Sequence, residues 1–158
     1  MGRTDRFVHL AGQVAGLVRS ALRPAAPSRR AAPDIEYRPR ADDLPDPGEV
    51  VWAWVPFDEG DGRGKDRPVL VIGRRGGSLL ALLLSSQDHD RDAADEARHG
   101  RLWTDIGSGP WDSRRRPSEV RLDRLLVLDP ATVRREGAAL DRARFDRVVA
   151  EARRVQGW

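Results

Sequence analysis

Three short, wholly apolar runs, residues 50–55, 69–72 and 79–84, constrain the fold more than any other feature of this chain. Each is rich in Val, Trp or Leu and bounded by Gly, Pro or polar residues, the pattern of strands covered on both faces. The Gly76-Gly77 pair between the second and third runs is a hairpin signal. Residues 102–106 and 119–128 supply two further strands. Five closely spaced strands of continuous apolar character point to an α+β chain built on a small curled antiparallel sheet or barrel, not to a parallel sheet with helical crossovers.

Beyond these strands, Asp129-Pro130 places a capping carboxylate before a proline at the first helical position, which predicts a short helix through about residue 135. Residues 136–140 then read as an edge strand. Asp141 caps a closing helix whose Phe145, Val148, Val149, Ala152 and Val155 recur on one stripe, so that face is expected to lie on the sheet. Ahead of the strands, residues 1–23 place Phe7, Leu10, Val14, Leu17, Val18 and Ala21 at helical spacing between arginines, an amphipathic helix that reads equally as an extension packed loosely or not at all and as one suited to peripheral membrane contact or a partner helix. Residues 24–46 hold five prolines among Ala, Arg and Asp and read as an extended linker, which puts the domain at 47–158.

Composition removes several classes of function. The absence of Cys excludes disulfides, thiolate metal sites and cysteine nucleophiles, and is compatible with a reducing cytoplasm. No apolar run approaches the roughly 20 residues that span a bilayer. The pI of about 10.4 reflects the choice of Arg for every base except Lys65, because 28 basic residues face 25 acidic ones and leave only +3. Eight Arg against three acids give residues 1–40 a net of +5, while twenty bases against twenty-two acids give the remainder −2. A nucleic acid would therefore be held by a local patch rather than by a basic domain.

The candidate chemistry lies around Arg67-Pro68, where the second apolar run begins after the polar segment carrying Arg63, Gly64 and Lys65. A guanidinium fork matches two phosphate oxygens, while its permanent charge makes it a poor base. Ser85 and Ser86 end the third run as hydroxyl donors. His89 brings an imidazole, the side chain suited to proton transfer near neutrality, although a His on a charged loop is more commonly solvated. The spacing of Asp88, His89, Asp90 and His99 fits no helix face, so a metal site is not expected. In the Gly-rich basic segment 107–117, Trp111 beside Arg114, Arg115 and Arg116 suits base stacking with phosphate contacts, and equally suits an aromatic that anchors its own loop. Trp52, Trp54 and Trp103 sit within strands and are expected in the core.

This order of motifs, with residues 48–54 as first strand, 67–72 as second, 79–85 as third and 117–155 as closing strands and helix, resembles the MazF/PemK family of toxin endoribonucleases. The resemblance implies a MazF/Kid/CcdB-like, SH3-like barrel. It also implies a homodimer that cuts single-stranded RNA to a 2′,3′-cyclic phosphate and a 5′-hydroxyl without a cofactor, and an antitoxin peptide as partner. It assigns most of the catalysis to Arg67 with the hydroxyl at the end of the third strand, Ser85 or its neighbour Ser86. The chain departs from well-known members in carrying Asp61 and Arg63, rather than Glu, before the Arg-Pro pair. The alternatives are a non-enzymatic CcdB-like inhibitor that poisons gyrase by protein contact, and a member that binds RNA without cutting it.

Overall fold

The computed structural model describes residues 33–134 and 138–158, so the amphipathic segment 1–23 lies outside the described residues. Seven strands form one antiparallel sheet: β1 (Asp34–Ile35), β2 (Val50–Pro56), β3 (Gly64–Arg75), β4 (Ser78–Ser85), β5 (Trp103–Gly107), β6 (Ser118–Arg121) and β7 (Leu126–Leu128). Two helices join them, α1 (Ala93–Arg98) and α2 (Arg142–Gln156). β3 lies at the centre, pairing with β1, β2 and β4, while β4 pairs along its length with β7 and then β6.

The non-alternating apolar runs are explained by burial on both faces. One face of the sheet gathers Val51, Ala53, Val55, Val69, Val71, Leu79, Ala81, Leu83 and Leu126, closed over by Trp103, Leu128 and Val133. The opposite face presents Val50, Leu70, Ile72, Leu80, Leu82 and Leu84 to α2, whose Phe145, Val148, Val149 and Ala152 are buried there. The sheet curls far enough for the chain after β7 to return to β2, where Trp52 and Arg134 exchange backbone hydrogen bonds of 3.0 and 2.9 Å. The result is a half-barrel with one helix packed on its outer layer.

α2 begins where expected, with the Asp141 carboxylate accepting from the Arg144 N–H at 3.0 Å, and ends at Gly157 in a left-handed conformation. Its stripe stops one turn early, since Val155 is exposed. Three expectations change. The helix predicted from Asp129-Pro130 is a single 3-10 turn, Pro130–Thr132, because the two-way pairing of Arg134 with Trp52 requires extended backbone immediately afterwards. The strand predicted over 119–128 is two, β6 and β7, separated where Asp123 accepts from the Leu102 N–H and the Arg121 guanidinium. The edge strand expected at 136–140 is one bridge, Glu49 to Ala139, among the described residues.

The linker boundary also moves. β1 pairs with Gly73 and Arg74 of β3, and a Cβ at Gly73 would stand 2.2 Å from the Asp34 carbonyl oxygen, so this close approach requires glycine. Tyr37 donates its hydroxyl to the Leu140 carbonyl at 2.8 Å and packs on Phe145 with ring centroids 5.1 Å apart. Residues 34–37, read from composition as linker, therefore belong to the sheet and its core. Their prolines flank the pairing instead of interrupting it.

Candidate active site

The Arg-Pro pair shapes the site through backbone chemistry before side chains enter. In β3, Val71 directs its N–H and C=O toward the Gly48-Glu49 side, so alternation points the backbone of Pro68 toward β4. Proline has no N–H to donate, and the β3–β4 pairing ends at Val69 opposite Leu83. Arg67 and Ser85 each stand two residues beyond that last pair, Arg67 still paired with Ala53 of β2 and Ser85 with Glu119 of β6. Where the strands part, a groove of about 630 Å³ opens, lined by Lys65, Arg67, Ser85, Ser86, Gln87 and Arg116 among others.

Within this groove Arg67 is half-buried, and its guanidinium makes no hydrogen bond or ion pair with any described residue. Burial alone pushes its pKa down from the ordinary arginine value. Arg121 shows the alternative: burial opposes its charge too, but bonds from Asp123 and Asp58 outweigh that and raise its pKa. An arginine withdrawn from water without a carboxylate presents its whole donor fork to an incoming anion. Lys65 is exposed and likewise has no partner among the described residues. By contrast Asp66 is held by Arg134 at 2.7 Å, and Arg116 by Asp112 at 2.8 Å. The Arg116 guanidinium, with the Arg114 N–H, lowers the pKa of Asp112 and makes it a weak base.

Ser85 is only 8% exposed, and its Oγ accepts from the Gln87 N–H at 3.1 Å, which leaves its own O–H to donate. Ser86 is exposed and lines both the groove and an adjoining cavity of about 290 Å³. Of the remaining candidates, Arg63 is outside the groove lining and pairs with Asp61 at 2.6 Å, and Arg114 and Arg115 are exposed and outside it as well. His89 is not brought to Arg67. Its ring lies on Trp103, and its Nδ1 meets Glu119 Oε2 at 2.5 Å. Among the described residues no group of three His, Asp or Glu side chains is placed to hold a metal.

Of the tryptophans, Trp103 packs on the core as expected, Trp111 takes one of its two expected roles, and Trp52 and Trp54 depart from the expectation of burial. Trp111 is 7% exposed, donates Nε1–H to Ser118 Oγ at 3.2 Å, and carries the Arg144 guanidinium 5.7 Å above its ring. A Cβ at Gly109 would stand 2.1 Å from the same ring. Closely packed in this way, Trp111 anchors its loop while forming part of the groove wall. Trp52, expected in the core, is only partly buried and lines the groove, and Trp54 is 51% exposed. The signal for both was present in β2, where Val51, Ala53 and Val55 alternate with Trp52 and Trp54 at period two. Gln87 and Ser113 carried no such signal.

The sequence model of the PemK-like, MazF-like toxins of type II toxin–antitoxin systems matches residues 46–155, the span that builds this groove. The chain belongs to that family. No curated protein matches this family member. Among solved structures it is similar to a crystal structure of MazE-MazF (form II) from Deinococcus radiodurans, at 24% identity over 73% of this chain and 95% of that one, with a TM-score of 0.44. The family match takes in Arg67, Ser85 and the whole groove.

Proposed function

We propose that this toxin-family protein is an endoribonuclease that cuts single-stranded RNA in the groove beside Arg67, as a homodimer restrained by an antitoxin peptide. The observation that carries this reading is the half-buried Arg67, whose guanidinium has no partner among the described residues, in one groove with the Ser85 hydroxyl. In RNA cleavage the 2′ oxygen bonds to phosphorus as the bond to the 5′ oxygen breaks. The 2′ hydroxyl loses its proton to water, the 5′ oxygen gains one from water, and a cyclic phosphate remains. Arg67 donates to two phosphoryl oxygens as charge builds on them, and Ser85 adds a neutral donor. With Asp112 a weak base, the acceleration rests mainly on these donors. Trp52 supplies the aromatic wall against which a neighbouring base stacks, and Lys65 a flanking phosphate contact.

The test is digestion of mixed single-stranded RNAs by the purified full chain in the presence of EDTA, with product ends identified chemically. Cleavage to cyclic phosphate ends is expected, and Arg67→Ala is expected to lose about 10²–10³ in rate, the effect of removing one transition-state donor. Wild-type rates for that variant would refute the assignment. Inhibition of gyrase without RNA cleavage would move the protein to the CcdB-like class.

A further inference from the structure

The turn that leaves β4 carries three of the groove's polar groups, Ser85, Ser86 and Gln87, and such a turn needs an anchor to hold a reactive hydroxyl in place. At its near end Ser85 Oγ accepts from the Gln87 N–H. At its far end Glu119 Oε2 accepts from both the backbone N–H of His89, at 3.2 Å, and its Nδ1, at 2.5 Å. Glu119 is also the residue paired with Ser85 in the β4–β6 register, so the carboxylate that holds one end of the turn is fixed beside the other. The His89 ring lies flat on Trp103, 3.9 Å away and tilted by 4°. Trp103 is held in turn through its Nε1–H by Glu96 at 3.1 Å, and Glu96 by Arg101 at 2.8 and 2.9 Å.

We propose that His89 and Glu119 are positioning residues that clamp the turn of residues 85–87 against Arg67, a role that rests on the ribonuclease reading given above. Neither side chain lines the groove, and Glu119 reaches only the adjoining cavity, behind Ser86 and Gln87. Imidazole suits the position because it combines a donor at Nδ1 with a flat face that covers Trp103. Geometry of this kind matters in rate: a displacement of about 1 Å at a reacting group is able to cost on the order of 10²-fold. A clamp that only stabilised the fold would act on unfolding and leave the ratio of kcat to KM effects without a pattern.

The experiment uses the full chain and four variants. His89→Leu keeps apolar cover on Trp103 and removes the donor, while His89→Asn retains a donor at the equivalent of Nδ1. Glu119→Ala removes the acceptor and Glu119→Gln retains one. For His89→Leu and Glu119→Ala, kcat on single-stranded RNA is expected to fall by about 10–100-fold with KM held within about twofold. The double variant should be no worse than the poorer single one, as for residues acting through one contact. His89→Asn and Glu119→Gln should recover most of the loss. Independently of activity, the Gln87 amide should exchange its hydrogen about tenfold faster in the two disrupting variants, with the Leu70 and Val71 amides unchanged. Unaltered Gln87 exchange in a folded His89→Leu protein overturns the proposal, as does a loss confined to KM. If the wild type cuts no RNA, the ribonuclease reading fails, and the exchange measurement still decides whether the clamp holds the turn.

Discussion

Replacing Arg67 with Met separates what this side chain does for the groove from what it does to the fold. Arg67 continues the face of Val69 and Leu83, both buried, and its guanidinium is partly withdrawn from water with no carboxylate in return. Burial lowers its pKa, so the folded state binds that proton less firmly than the unfolded chain does. For a base shifted in this direction the charge costs stability at every pH below the folded pKa, which for arginine covers the whole working range. Met keeps an unbranched stem of similar reach and discards the charge. The partial exposure reduces the penalty, so the gain is taken near the middle of the ~0.5–2 kcal/mol that stabilising substitutions commonly yield, about 1 kcal/mol. In a domain of this size that raises Tm by roughly 2–5 °C.

Thermal unfolding followed by circular dichroism, with and without inorganic phosphate, is the assay. An anion held by Arg67 at ten times its Kd stabilises the wild type by about 1.4 kcal/mol and leaves Arg67→Met where it was. RNA cleavage by the variant should fall by about 10²–10³. A variant less stable than wild type by about 1 kcal/mol would mean that Arg67 has a stabilising role the half-barrel geometry does not reveal. A phosphate-induced rise in Tm that survives the substitution would place the anion elsewhere. Either result refutes the reasoning.

Three further outcomes follow from the same structure. Tyr37→Phe should cost about 1 kcal/mol by removing the hydroxyl bond to Leu140, and Tyr37→Ala about 2–4 kcal/mol by also emptying the space beside Phe145. Urea unfolding measures both, and a near-native Ala variant would return residues 34–37 to the linker. Ser85→Ala should slow cleavage about tenfold and Ser86→Ala no more than about threefold, since loss of one neutral hydrogen bond amounts to about 1–1.5 kcal/mol. Single-turnover rates in the reverse order would assign the reactive hydroxyl to Ser86. The Arg101 guanidinium, followed by the Trp103 N–H, holds Glu96 down to about 2 from 4.5, so the stability it contributes is complete above 4.5 and is lost as pH falls through about 2. Tm measured against pH should show wild type and Glu96→Gln converging over that window, and a constant difference across it would exclude Glu96 as the source.

Much of the scaffold is legible because its signals are local. The apolar runs at 50–55, 69–72 and 79–84 mark β2, β3 and β4 whatever surrounds them, and Asp141 with the stripe from Phe145 to Ala152 marks α2. The Arg-Pro pair is local as well: Pro68 has no N–H to offer β4, and the β3–β4 pairing stops at Val69 while the β2–β3 pairing runs on through Pro68 to Gly64. Where an expectation failed or two roles stayed open, contacts made only in the folded sheet decided the outcome. Residues 34–37 look like linker until Gly73 admits β1 and Leu140 accepts the Tyr37 hydroxyl. His89 looks like a solvated loop residue until Glu119 and Trp103 enclose it. Trp111 had two open roles, and Gly109, Ser118 and Arg144 chose between them.

The sequence by itself therefore determined the order of the strands, the capped closing helix and the position of Arg67-Pro68 at the entry to the second apolar run, because backbone chemistry and periodicity act between near neighbours. Only the tertiary structure decided that Arg67 would stand unpaired while Arg63, Arg116 and Arg121 found carboxylates. All four carry the same charge and the same fork. Asp61, Asp112 and Asp123 reach Arg63, Arg116 and Arg121 from two to four residues away, whereas Asp66, the acid next to Arg67, is taken by Arg134 from far along the chain, a contact between segments that neither composition nor spacing records.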